Sequence, residues 1–436
     1  MRRYKQIFTI IFAIIGGVSC GCFAQEKPQS TYQYVDFNQG QNDNAHAEWV
    51  QRIEVLEPAG LSEIRGDVNV KIKAPEMLHV KAFCWSQPTV ENPSPWGHRV
   101  DLTPTGIDLG EDGTGTFVFP AGNFPAGPVN IRIFASNEKG EKDMFELQLY
   151  NKGGIAWNQG IPKNDPPAAK GLQLVFTDDF DGPLSISNDG RNARYCAHKP
   201  LSGDFSGWPF RDFDGPENPF EQKDTYLRIK ARKNPESKGS TGIIASVNMD
   251  GEGCWVKAPF YMECRFTAQS APGTWPAFWT LTTFDGTPVD ELDVIEAYGG
   301  RGKGHPNHDD IYCIVSHFWG QTNPDGTRKK EFDTRVPMTQ LAGKSSWSET
   351  FHTYGLYVGL EETVYYFNDM EVLRHPVNDV SRNQPTFFLL NYAIGGISGW
   401  PVDMERYGNA SDMYVDYIRV YAREPLDYKA PIESRR

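Results

Sequence analysis

Three carboxylic acid side chains, Glu291, Asp293 and Glu296, lie within six consecutive residues of the chain. A pair of carboxylic acids can cleave a glycosidic bond, because one attacks the sugar as a nucleophile while the other transfers a proton. Leu292 and Val294 alternate with the first two acids, a pattern typical of a β-strand with one apolar and one polar face. We therefore predict that these acids line a site on one face of a sheet.

The position of Glu296 conflicts with simple alternation along this strand. Successive side chains of a strand point to opposite faces, so Glu291 and Asp293 share a face and Glu296 would point into the core. Burying an unpaired carboxylate is costly, and a one-residue β-bulge near Ile295 would return Glu296 to the polar face. The bulged strand would hold the two glutamate carboxyls roughly 5 to 6 Å apart, which is the spacing of a retaining glycosidase.

The three acids are expected to divide the chemistry between them. Neighbouring negative charges raise one another's pKa, so the three groups cannot all ionise freely. We assign Glu291 as the ionised nucleophile, Glu296 as the general acid that later acts as base, and Asp293 as the residue that orients the nucleophile. The structural alternative is an acidic strand edge exposed to solvent.

Aromatic residues on either side of this strand favour a sugar-binding cleft. Trp275 and Trp279 fall on one face of an upstream strand, and His317 and Trp319 alternate on a downstream one. Flat indole rings pack on the apolar faces of sugars, and their N–H groups can bond a hydroxyl. The alternatives are that the two upstream tryptophans fill the core and that His317 is a structural histidine.

Together with other segments, these motifs resemble glycoside hydrolase family 16 over residues from about 172 to 422. The resembling segments occur in the family's order and are 174–182, 263–265, 275–279, 291–296, 317–319, 351–356, 391–396 and 415–421. The family includes laminarinases, lichenases, agarases, porphyranases and κ-carrageenases. The resemblance implies a concanavalin-like jelly roll, internal cleavage of β-linked polysaccharides with retention, and the roles already assigned to the three acids.

The resemblance also supplies two weaker assignments. Asn391 is a further candidate for substrate contact. Many family members hold one structural calcium ion, for which Asp416 and the region of Asp179 are the matching positions. No cofactor is required by the expected chemistry.

The sequence does not single out one substrate. Residues 182–225 and 283–290 depart from the common laminarinase pattern, so we expect a β-1,3- or β-1,3-1,4-glucan and keep a red-algal galactan (agarose, porphyran or carrageenan) as the alternative. Sulfated sugars would call for cationic side chains in the cleft, and the candidates are Arg191, Arg194, Arg211, Arg301 and Lys303. A non-catalytic carbohydrate-binding protein is the alternative from another class.

The chain as a whole is predicted to be all-β. We expect a signal peptide at 1–24, a flexible tether at 25–47, an immunoglobulin-like sandwich at 48–152, a linker at 153–170, the catalytic jelly roll at 171–424 and a tail at 425–436. Phe83, Trp85 and Trp96 are the candidates for a sugar-binding platform on the first sandwich.

The N-terminus and the charge predict where the protein acts. A basic start followed by a short apolar run is typical of an exported protein, whether secreted, periplasmic or at the cell surface, and Cys20 or Cys22 could carry a lipid anchor. Signal removal would change the net charge from −13 to −16, which argues against a nucleic acid partner. We expect a monomer with no membrane span. Cys254 and Cys264 are predicted either to form a disulfide or to be buried thiols.

Overall fold

The computed structural model describes residues 50–89, 94, 97–200, 203–283, 288–300, 311–338 and 345–431. Regular structure in these residues is almost entirely β-strand, which confirms the all-β prediction. The exceptions are one short α-helix, α1 (Asp379–Asn383), and four 3₁₀ turns at Ala121–Asn123, Pro167–Ala169, Gly396–Ser398 and Glu405–Tyr407. No helix in this part of the chain is both long and apolar enough to cross a membrane. The predicted signal peptide and tether, together with Trp96, Arg301 and Lys303, lie outside the described residues.

The N-terminal domain is a sandwich of two β-sheets. Its described strands are β1 (Glu54–Glu57), β2 (Glu63–Ile64), β3 (Val68–Lys73), β4 (His79–Ser86), β5 (His98–Asp101), β6 (Ile107–Asp108), β7 (Thr114–Phe119), β8 (Gly127–Ser136) and β9 (Lys142–Asn151). One sheet has the order β1-β3-β7, and the other has the order β2-β9-β8-β4-β5 with β6 beside β4. Phe83 and Trp85 are both buried, so neither offers an exposed platform for sugar.

The C-terminal domain is a larger two-sheet sandwich. Its described strands are β10 (Gln173–Asp178), β11 (Ile186–Ser187), β12 (Tyr195–Cys196), β13 (Phe220–Lys223), β14 (Tyr226–Arg232), β15 (Ile243–Ala245), β16 (Phe260–Ala268), β17 (Thr274–Leu281), β18 (Val289–Glu296), β19 (Ile311–Trp319), β20 (Phe332–Pro337), β21 (His352–Val358), β22 (Glu362–Phe367), β23 (Met370–Pro376), β24 (Phe387–Ile394) and β25 (Ala410–Ala422). The outer sheet has the order β13-β14-β25-β16-β21-β22-β23, with β10 also paired to β25. The inner sheet has the order β11-β12-β15-β24-β17-β18-β19-β20.

The main core lies between these two sheets. Phe278, Leu292 and Leu390 of the inner sheet pack there with Met262 and Ile418 of the outer sheet. The other face of the inner sheet carries a second cluster that includes Trp275 and Trp279. β17 carries apolar residues on both faces because both of its faces are covered.

The two domains share a buried polar interface. The guanidinium of Arg132 on β8 lies between two glutamates, with its Nε 3.4 Å from Glu146 and 3.1 Å from Glu349 of the C-terminal domain. All three side chains are at most 1% exposed. Glu146 also accepts a 2.8 Å hydrogen bond from the backbone N–H of Ser270. Buried charges must be paired and hydrogen-bonded to be tolerated, so this interface fixes one domain against the other.

The segment predicted as a linker runs along the outer sheet instead of holding the domains apart. Its backbone accepts hydrogen bonds from two arginines, from Arg265 at Asn158 and from Arg419 at Asn164. These contacts attach the linker to the C-terminal domain, and the Arg132 cluster attaches the two domains to each other.

The five cysteines of the described residues are all free thiols: Cys84, Cys196, Cys254, Cys264 and Cys313. Cys254 and Cys264 are therefore unpaired thiols, which is one of the two alternatives that the sequence left open. Cys264 packs in the main core as a small apolar residue.

Candidate active site

The predicted bulge is present in β18. Asp293 lies opposite Val315 of β19 and Glu296 lies opposite Cys313, so three residue steps on one strand face two on the other. The same shift occurs against β17, where Trp279 pairs with Asp293 and Phe278 pairs with Ile295. Val294 is therefore the extra residue of a one-residue bulge.

The bulge returns Glu296 to the face that carries the other two acids. The adjacent residues Val294 and Ile295 both pack in the main core, which strict alternation would forbid. All eight cleft residues predicted from the sequence line one cavity of about 430 Å³, namely Trp275, Trp279, Glu291, Asp293, Glu296, His317, Trp319 and Asn391. The structure thus brings the predicted acids and aromatic residues together.

The start of β18 is held by a buried carboxylate on its core side. Asp290 is fully buried and accepts hydrogen bonds from the Asn378 side chain at 2.6 and 2.8 Å, the Ser381 backbone N–H at 2.9 Å and the Gln321 side chain at 2.6 Å. Charged acceptors with several donors make strong, well-oriented bonds. The network fixes the residue immediately before Glu291.

Each of the three acids has a different neighbour. The indole of Trp319 is near enough to Glu291 to lower the pKa of that carboxyl, and the Tyr298 hydroxyl donates a hydrogen bond of 2.9 Å to Glu296. Asp293 lies 3.5 Å from Nε2 of His317. Glu291, Asp293 and His317 each place a polar atom within 4.8 Å of the other two, so the site is compact.

Burial raises the pKa of all three carboxyl groups. The effect is strongest for Asp293, whose pKa is well above its usual range because burial is reinforced by the charges of Glu296 and Glu291. For Glu291, burial is opposed by the positive charges of His317 and Lys199. For Glu296, burial is opposed first by the hydrogen bond from Tyr298. Asp293 is therefore the group that holds a proton most firmly.

Asn391 holds a tryptophan of the cleft in place. Its side-chain oxygen accepts a 2.9 Å hydrogen bond from Nε1 of Trp279, and its amide donates one of 3.1 Å to the Trp275 carbonyl. Trp275 Nε1 makes no well-formed hydrogen bond to the described residues, although it is near enough to Glu296 to lower that pKa slightly. The Trp275 N–H is thus available to a sugar hydroxyl, whereas the Asn391 amide is already occupied.

Several cleft residues escaped the sequence analysis. Lys199, Phe205, Tyr298 and Ile397 line the cavity from loops that follow or connect the strands. Phe205 packs edge-on against both Trp275 and Trp279, at ring-centroid distances of 5.4 and 5.8 Å. Strand periodicity carries no signal for such residues. Of these four residues, only Tyr298 could have been found from the sequence, because it lies two positions after Glu296.

Asp416, the predicted calcium ligand, has protein partners at both carboxylate oxygens. One oxygen accepts a 2.9 Å hydrogen bond from the Gly160 backbone, and the other pairs with the guanidinium of Arg265. Within the described residues, Asp416 belongs to no group of three His, Cys, Asp or Glu side chains that could hold a metal. The calcium site stays a prediction.

The three described arginines that were candidates for binding sulfated sugars contact other protein groups. Arg191 pairs with Asp189 at 2.9 Å and Arg211 with Glu217 at 2.9 Å. Arg194 lies over the ring of Phe176, 4.5 Å from its centroid. None of the three lines the cavity.

Comparison with known proteins gives relatives for about half of the chain. The chain is 33% identical over 162 residues to the endo-1,3-1,4-β-glycanase ExsH of Rhizobium meliloti (strain 1021), covering 37% of this chain and 30% of that protein. It is 29% identical over 215 residues to EglC, an endo-1,3-1,4-β-glycanase of the same strain, covering 47% and 40% of the two chains. The matches span less than half the length of these two relatives.

A structural comparison finds an endo-β-1,3(4)-glucanase, SCLam, described as a family GH16 enzyme. The TM-score is 0.45 at 22% identity, and the match covers 61% of this chain and 96% of that one. No family model matches the chain. The chain is thus similar in sequence to the two Rhizobium endo-1,3-1,4-β-glycanases.

Proposed function

We propose that this protein is a retaining endo-β-glycanase that hydrolyses β-1,3- or mixed-linkage β-1,3-1,4-glucan. The observation that carries the proposal is the bulge at Val294, which directs Glu291 and Glu296 into one aromatic cavity. Two carboxyl groups facing a single sugar-sized cleft are the minimum machinery for cleavage with retention.

In the first step, the carboxylate of Glu291 attacks the anomeric carbon while Glu296 gives its proton to the departing glycosidic oxygen. The C–O bond to the leaving sugar breaks, and a covalent glycosyl ester forms on Glu291. In the second step, Glu296 removes a proton from water, the resulting hydroxide attacks the same carbon, and Glu291 leaves as carboxylate. The separation of roughly 5 to 6 Å between the two carboxyls stays a prediction.

Asp293 assists Glu291 in this scheme. Its raised pKa favours the protonated form, which can donate a hydrogen bond to a neighbouring carboxylate. Such a bond orients Glu291 and disperses negative charge as the glycosyl ester is cleaved.

The lining of the cavity supports a neutral glucan as substrate. Trp275, Trp279 and Trp319 offer ring faces that suit the apolar faces of glucose, and the Trp275 N–H can bond a hydroxyl. The two Rhizobium relatives are named as endo-1,3-1,4-β-glycanases. The galactan alternative has less support, because Arg191, Arg194 and Arg211 lie outside the cavity.

The test is to measure reducing ends released from laminarin, lichenan, agarose, porphyran and carrageenan. We expect release from laminarin or lichenan, with oligosaccharides of several lengths early in the reaction. Glu291→Gln should abolish release while leaving binding intact, whereas Asp427→Asn, an exposed acid, should behave as the unaltered protein. Release from a galactan alone would favour the galactan alternative, and binding without release from any polymer would favour a binding protein.

We also propose that the protein acts outside the cytoplasm as a monomer. The proposal rests on the basic and apolar N-terminal pattern and on the polymeric substrate. Fractionation of the producing cells, with palmitate labelling, would distinguish a free exported protein from one anchored through Cys20 or Cys22.

A further inference from the structure

Lys199 lies at the wall of the cleft, in the loop after β12. Its ammonium is over the indole of Trp279, with Nζ 5.4 Å from the ring centroid. Trp279 pairs in register with Asp293 on the neighbouring strand, and Leu281 pairs with Glu291. A cation above Trp279 therefore lies beside the row of acids. Among the described residues, no carboxylate is within ion-pair distance of Lys199.

The cleft has far more negative than positive charge. The charged and titratable groups that surround Glu291 are Asp293, Glu296, Tyr298, His317, Glu331 and Lys199. Glu331 faces Nδ1 of His317 at 3.0 Å and also pairs with Arg328, which is largely exposed and lies over the ring of Trp319. His317 is positive only when protonated. Lys199 is thus the one lysine or arginine that lines the cavity within the described part of the chain.

The positive charge is not shared equally by the two glutamates. Burial lowers the pKa of Lys199, and the charges of Glu291 and Asp293 oppose that lowering. In return, the charge of Lys199 opposes the rise that burial causes in the pKa of Glu291 and of Asp293. The leading influence that opposes burial at Glu296 is the neutral hydroxyl of Tyr298. Environments that push two carboxyl pKa values apart are how one site obtains a base and an acid at the same pH.

We propose that Lys199 is a positioning residue that keeps Glu291 ionised, so that the nucleophile stays negative beside Asp293 and Glu296. The inference rests on the proposed function, because it assigns Lys199 a part in that reaction. Its ammonium acts through Glu291, and no contact with the substrate is required.

The test uses two variants of one side chain. Lys199→Met keeps the length and removes the charge, whereas Lys199→Arg keeps the charge. The pH dependence of kcat/KM on the polysaccharide cleaved by the unaltered protein should show its acidic limb raised by about one pH unit in Lys199→Met. At pH values below the limb this corresponds to about a tenfold loss, and well above it kcat/KM should approach that of the unaltered protein. Lys199→Arg should restore the limb, and Lys139→Met, at an exposed turn, should leave it in place.

A second measurement does not depend on turnover. The side-chain carboxyl resonances of ¹³C-labelled glutamate can be titrated, with Glu291 assigned by its absence in Glu291→Gln. The Glu291 signal should titrate at higher pH in Lys199→Met than in the unaltered protein, whether or not any polymer is cleaved. An unchanged titration would overturn the proposal. A rise in KM at every pH with an unmoved acidic limb would also overturn it, and would assign Lys199 to substrate binding. A failure of the proposed function would instead appear as absent turnover in the unaltered protein.

Discussion

The carboxyl group of Asp293 lies 3.5 Å from the imidazole of His317, yet only 4% of Asp293 is exposed to solvent. The imidazole also faces Glu331, 3.0 Å from its Nδ1, and burial and the neighbouring glutamates oppose the ionisation of Asp293. Asp293 is therefore kept at a cost in stability for the sake of the site.

Replacing Asp293 with Asn should make the protein more stable at neutral pH and less active. The folded state binds the Asp293 proton more tightly than the unfolded chain, so the unaltered protein loses stability as pH rises above the ordinary carboxyl value of 3.8. Asn cannot ionise, so the variant escapes that loss, which is about 1.4 kcal/mol for each unit of raised pKa. The difference in Tm should grow from pH 4 to pH 7. Asp427→Asn should show no such growth, and a constant difference would contradict the assignment.

Replacing Glu296 with Ala should separate the two steps of the reaction. Cleavage of polysaccharide should fall by about 10²–10⁴-fold, because the leaving oxygen no longer receives a proton. Aryl glycosides whose phenol leaves without protonation should still form the ester on Glu291, and added azide should accelerate its release as a β-glycosyl azide. Glu291→Gln should show no azide rescue. An α-glycosyl azide as the rescued product would contradict a retaining mechanism.

Deleting Val294 should remove the bulge yet keep Glu296 on the cleft face and the protein active. Without the extra residue, Glu291, Asp293 and Glu296 occupy alternate positions of a regular strand and still share one face, while the main core loses one buried side chain. Val294→Ala is the matched control: it keeps the bulge, and we expect it to lose about 1–2 kcal/mol of stability but to remain active. Reducing-end assays and urea unfolding measure both properties. Loss of activity in a deletion variant as stable as Val294→Ala would show that the bulge itself sets the geometry of the acids.

Replacing Arg132 with Ala should destabilise the protein by about 3–5 kcal/mol, because Glu146 and Glu349 would be left buried without this counter-ion. Arg52→Ala breaks an exposed pair with Glu76 and should cost at most about 1 kcal/mol. Urea unfolding followed by tryptophan fluorescence measures both. Similar costs for the two variants would mean that the domain interface contributes little.

The catalytic strand could be predicted because a physical conflict revealed it. A carboxylate at Glu296 is incompatible with the core face, and a bulge resolves that conflict at the lowest cost. The aromatic residues of β17 and β19 followed from alternation in the same way. Lys199 could not be predicted, because its position depends on the path of a loop rather than on the period of a strand.

The partner of Asp416 was hidden in the sequence for a related reason. Glu263 of β16 lies directly opposite Arg419 of β25, so oppositely charged residues face each other across the outer sheet, and Asp416 finds Arg265 there in the same way. A single sequence shows acids and arginines but not which strands pair. The contact between the domains was hidden for the same reason, since Arg132 and Glu349 are more than two hundred residues apart.

The buried Arg132 cluster also limits how this protein can be rearranged. A carbohydrate-active enzyme with a tethered accessory unit can exchange that unit freely, because few contacts cross the join. Here, excision of the first sandwich would remove the Arg132 counter-ion of Glu349 and the Glu146 acceptor of the Ser270 backbone N–H. The two domains must therefore be expressed and engineered together as one unit.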